Sequence, residues 1–93
     1  MPGQLYTVIE EFKDAPAIYR RFREHGRMAP EGLRYVASWV DDRLERCFQF
    51  METEDRRLLE EWMANWSDVT DFEVYPVITS QEAAARTASR DRA

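Results

Sequence analysis

The sequence predicts a single α+β domain in the order β-α-β-β-α-β, with a four-stranded antiparallel sheet and two helices on one of its faces. Strand-like runs rich in β-branched and aromatic residues occur at LYTVIEEF, LRYVASWV, RCFQFME and FEVYPVIT. Two stretches between them place apolar residues at helical spacing instead. The middle two runs are short and tightly joined, which makes them an antiparallel hairpin and the whole a split β-α-β unit.

The first strand is Leu5 to Phe12. Asp14 then offers an N-cap, and Pro16 sits in the first helical turn, where a missing N–H costs little. Ile18, Tyr19 and Phe22 form the apolar side of this helix, and Gly26 supplies a left-handed stop. Pro30 and Gly32 break the chain before the second strand, Leu33 to Val40. DDRLE turns into the third strand, Arg46 to Glu52. Thr53 or Asp55 caps a second helix with acids in its first turn. Its stripe is Leu58, Leu59, Trp62, Met63 and Trp66, and Arg57 and Glu61 pair on its exposed side. The fourth strand runs from Phe72 to Thr79. Pro76 lacks a ladder donor, so this strand belongs at an edge or a bulge. Residues 1–80 make the domain. Residues 81–93 make a polar tail that starts as helix, has no apolar face and frays.

The bulk numbers fit this small domain. A chain of 93 residues buries roughly 60–65% of its unfolded surface, so oligomerisation is a natural way to gain burial. The net charge is −5, which argues against nucleic acid as a partner. No apolar run approaches the roughly 18 residues of a membrane span, and the N-terminus lacks the pattern of a signal peptide. A lone cysteine excludes an internal disulfide and fits a reducing, cytoplasmic setting.

Strict alternation along the hairpin places Tyr35, Ala37 and Trp39 with Cys47, Gln49 and Met51 on one side. Val36, Ser38 and Val40 fall with Phe48 and Phe50 on the other. Neither set is the charged face of a solvent-exposed sheet. Helices cover one face, and a second copy of the chain is the simplest cover for the other.

This pattern resembles the dimeric α+β barrel superfamily, in which two ferredoxin-like subunits press their open sheets together and to which antibiotic-biosynthesis monooxygenases belong. The wording GRMAPEGLRYVASWV, RCFQFME and LLEEWMANWSDVTDFEVYPV is also similar to a family of small bacterial proteins classed as a domain of unknown function. The likeness spans about Tyr6 to Thr79. It implies a dimeric barrel and brings no assigned activity, because fold does not imply function.

Candidate site residues follow from chemistry. His25, the only histidine, is either a base or ligand at a pocket mouth or a residue that suits a helix C-terminus. Cys47 reads as a small buried hydrophobe, since no cation or paired base accompanies it. One histidine and one cysteine make no zinc site, and no cofactor is expected. Trp39, Trp62 and Trp66 are core residues or the walls of a pocket for a flat ligand, with Tyr35 and Gln49 to orient it. Glu10 and Glu11 end the first strand. A buried one would need a partner such as Arg34 or Arg46, and the simpler expectation leaves both in water. The ligand set is therefore His25, Tyr35, Trp39, Gln49 and Trp62, for a small apolar or aromatic metabolite. The alternatives are a non-catalytic structural or regulatory dimer and, by resemblance, a cofactor-independent monooxygenase.

Overall fold

The computed structural model describes residues 3–91. The elements are β1 (Gln4–Phe12), α1 (Ala15–His25), β2 (Arg34–Val40), β3 (Arg46–Thr53), α2 (Arg56–Ala64), β4 (Thr70–Val77) and α3 (Ser80–Asp91). The sheet is antiparallel throughout, with strand order β2-β3-β1-β4. Through β4 this is the split β-α-β arrangement. Pro76 lies on an edge strand, where its missing N–H is harmless. No helix among the described residues is long and apolar enough to cross a membrane.

Local chemistry sets the element ends. The Asp14 carboxylate accepts from Ala17 N at 3.1 Å and starts α1, and Gly26 stops it at φ 68°. Asp55 rather than Thr53 caps α2, accepting from Arg57 N at 3.0 Å. The first turn of α2 carries no acid; Arg56 and Arg57 follow the cap directly. Arg57 folds back onto Asp55 at 2.9 Å, and the (i, i+4) pair is Arg56 with Glu60 at 3.7 Å, not Arg57 with Glu61. Asp41 closes the β2–β3 turn by accepting from the N–H groups of Glu45 and Arg46 at 2.7 and 2.8 Å. The tail forms a twelve-residue helix capped by the Thr79 hydroxyl, which accepts from Glu82 N at 3.0 Å.

The core lies between the sheet and the first two helices. Tyr6, Val8 and Met51 of the sheet meet Ile18 of α1 and Leu59 and Trp62 of α2, with Leu33, Trp66 and Val69 closing the ends. The helix-facing side of β1 is thus Tyr6, Val8, Glu10 and Phe12. In register with them stand Met51, Gln49 and Cys47 of β3 and Pro76, Val74, Phe72 and Thr70 of β4. The expectation that both glutamates lie in water is incorrect for Glu10. The strand stays paired to Phe12, so Glu10 turns inward and Glu11 outward.

The β2–β3 hairpin departs from strict alternation. Its register shifts between Tyr35 and Ala37, leaving Val36 as the extra residue of a bulge. Tyr35 keeps the helix-facing side opposite Met51. Beyond the bulge the alternation inverts, so Ser38 and Val40 join Gln49 and Cys47, while Ala37 and Trp39 join Phe50 and Phe48. Trp39 therefore sits on the opposite face from Gln49 and Cys47, contrary to the sequence reading.

Candidate functional site

Between α1 and the helix-facing side of the sheet lies an open cleft of about 130 Å³. Its walls are aromatic: Phe12 from β1, Tyr19 and Phe22 from α1, Trp62 from α2 and Trp66 just beyond it. Its polar groups are Glu10, Cys47, Gln49, Ser38 and Arg27. Tyr19 and Phe22 are 37% and 41% exposed, which marks them as walls of an open space and not as packed core.

The polar groups form one chain. Arg27 Nε donates to Gln49 Oε1 at 3.2 Å, and Gln49 Nε2 donates to Glu10 Oε2 at 3.2 Å. Cys47 of β3 stands directly opposite Glu10 in the sheet register. Glu10 is only 7% exposed, and among the described residues no ion pair holds it directly. Burial disfavours its charge, and the neighbouring Cys47 thiol and the more distant Arg27 charge offset this only in part. Its pKa rises from the usual 4.5 to about 7. Burial beside that carboxyl pushes the Cys47 thiol up to about 12, so it is not a thiolate nucleophile. The Tyr19 hydroxyl is raised as well, first by burial and then by Cys47 and Glu10.

Arg27 is held from several sides. Its guanidinium lies 3.7 Å from the Tyr35 ring centroid and 5.2 Å from that of Phe22. Its backbone carbonyl accepts from the indole N–H groups of Trp62 and Trp66, each at 3.1 Å. Two buried indoles thereby satisfy their donors and fix the α1–β2 loop over the cleft. Among the described residues, the terminal nitrogens of Arg27 make no hydrogen bond.

Of the residues singled out from sequence, Gln49 and Trp62 line the cleft. Tyr35 stands behind it under Arg27, its hydroxyl 2.8 Å from Ser38 Oγ. His25 does not reach the cleft: its side chain is 61% exposed, with Glu24 at 3.9 Å. Trp39 is 63% exposed on the far face, edge-on to Phe50 at 6.1 Å. Glu10 and Arg27 are the groups that sequence reasoning missed. Neither Arg34 nor Arg46 partners Glu10; on the far face Arg34 pairs with Glu52 and Arg46 with Glu11. The signal for Glu10 was its spacing of two and four from Val8 and Tyr6. Arg27 sits in a loop and gave none.

That far face carries Leu5, Ile9, Trp39, Phe48, Phe50, Tyr75 and Val77, with Thr7 among them and Glu73 of β4 opposite Ile9. The ion pairs Arg34–Glu52 and Arg46–Glu11 stand toward its ends.

No curated protein and no solved structure matches the chain. The family described as a domain of unknown function, DUF3303, matches residues 4–90. That match covers all four strands and nearly all of the third helix, and the chain belongs to this family.

Proposed function

We propose that the chain binds a small, flat, largely apolar metabolite in the cleft between α1 and the sheet, and does so as a homodimer. One observation carries the binding reading: an aromatic-walled cleft whose floor holds a buried carboxyl wired through Gln49 to Arg27. A purely structural core gains nothing from a buried carboxyl with no direct cation, and such groups concentrate at functional sites. Apolar walls with a few convergent polar groups are the usual make-up of a ligand site. The size fits about one ring, since a cavity of roughly 150 Å³ accepts benzene.

The homodimer rests on the far face. Trp39, Phe48 and Tyr75 are 63%, 38% and 49% exposed there, and large exposed apolar side chains gathered on one face call for a partner. A second copy, joined sheet to sheet in the manner of the α+β barrels, covers it with like residues. The structural or regulatory dimer keeps this face and gives the cleft no ligand.

Native mass spectrometry of the protein purified from its own source separates these readings. The expected result is a dimer that carries a defined small-molecule mass. A bare monomer contradicts both halves of the proposal.

A further inference from the structure

The cleft places a proton acceptor and a cation on either side of a single amide. Glu10 and Arg27 both hydrogen-bond the Gln49 side chain, and all three face the same aromatic-walled space. A one-ring ligand seated among Tyr19, Phe22 and Trp62 has its substituent directed to these groups. We propose that the cleft is a proton-transfer site for a small ketone or aldehyde bearing one aromatic ring, with Glu10 as the base and Arg27 as the group that holds the developing enolate oxygen. This deepens the binding reading above and rests on it.

The step balances without any co-reactant. A Glu10 carboxylate oxygen takes the proton from the carbon next to the carbonyl. The C–H electron pair becomes the C=C bond of the enolate, and the carbonyl π pair moves to oxygen. That oxygen meets the guanidinium of Arg27, whose terminal nitrogens have no hydrogen-bond partner among the described residues. Return of the proton from Glu10 to carbon restores the carbonyl compound, and return to oxygen gives the enol. A positioned base of this kind contributes roughly 10²–10⁴-fold. Stabilisation of the developing charge by the Arg27 guanidinium adds to it.

The surroundings of Glu10 suit the role. Cys47 faces it from β3, Tyr19 from α1 and Arg27 from the loop. Opposite it on β4 stands Phe72, and α2 contributes Trp62, neither of which ionises. The base is present on both sides of neutrality, because the pKa of Glu10 lies at about 7. The exchange rate therefore rises with pH through this range and levels above it.

The test is exchange of the phenylacetone methylene protons for deuterium in D2O, followed by proton NMR with the full-length protein. Wild-type protein accelerates loss of the methylene signal, and Glu10→Gln lowers that acceleration at least about 100-fold. Glu10→Asp, which retracts the carboxyl by one methylene, keeps binding and slows exchange. Glu11→Gln, on the far face, leaves the rate unchanged. Arg27→Ala lowers the rate and raises the half-saturating concentration. Binding is read separately from the Trp62 and Trp66 indole signals. If phenylacetone shifts those signals but wild-type protein gives no exchange above buffer, proton transfer is overturned and ligand binding stands. Full exchange in Glu10→Gln overturns it too. No shift of the indole signals overturns both.

Discussion

Glu10 is where the physical chemistry of this chain is most exposed. A carboxyl whose pKa rises on folding keeps its proton in the native state at a pH where the unfolded chain has lost it. Between pH 4.5 and about 7 the native state therefore binds more protons, and stability falls as pH rises. A shift of this size corresponds to about 3 kcal/mol at most. We predict that urea denaturation shows wild-type protein less stable at pH 8 than at pH 5. Glu10→Gln, which cannot ionise, should lose that part of the pH dependence and gain on wild type by 1–3 kcal/mol, in order of magnitude, at pH 8. Equal pH dependence in the two proteins would place Glu10 in water. Asp68 does not confuse the measurement. Its hydrogen bond to Arg21 lowers its pKa to about 2, so its contribution is lost only in stronger acid.

At the scale of elements, most of the fold was legible. Hydrophobic period gave four strands and two helices, and capping chemistry gave Asp14 and Gly26 at the ends of α1. The choice between Thr53 and Asp55 was not legible, because both side chains suit an N-cap and only three-dimensional placement decides. Thr53 instead accepts from Asp55 N at 3.0 Å and shapes the approach to the helix. Asp55→Ala should destabilise the fold by about 1 kcal/mol, measured by thermal or chemical unfolding, whereas Glu54→Ala should be near neutral. The bulge at Val36 was the costlier omission. A single inserted residue inverts the face of everything beyond it, and no turn residue or glycine in RYVASWV announces it. That one shift carried Trp39 away from the cleft and brought Ser38 and Val40 into it. Arg27 was illegible for a different reason: a loop residue acquires its role from what folds against it. Here that is Tyr35 on the next strand, and Gln49 and two indoles farther along the chain.

For the whole molecule, the two faces of the sheet divide the work. The helix-facing side combines a compact core with a cleft, and the far side offers large apolar side chains between ion pairs. Such a layout, apolar at the middle and charged at the rim, is that of a protein interface. On the homodimer reading, Trp39→Arg puts a charge among those apolar side chains and should convert the dimer to monomer in analytical ultracentrifugation. An unchanged sedimentation coefficient would show that Trp39 is not at the interface. The same division makes the three tryptophans internal reporters. Trp62 and Trp66 point their indole N–H groups at Arg27 beside the cleft, and Trp39 lies on the opposite face. The most direct measurement is therefore an NMR titration of 15N-labelled protein with one-ring aromatic compounds, watching the three indole signals. Ligand entry into the cleft predicts saturable shifts of Trp62 and Trp66 with Trp39 unmoved. Shifts confined to Trp39, or none at all across the series, would contradict a binding cleft on the helix-facing side.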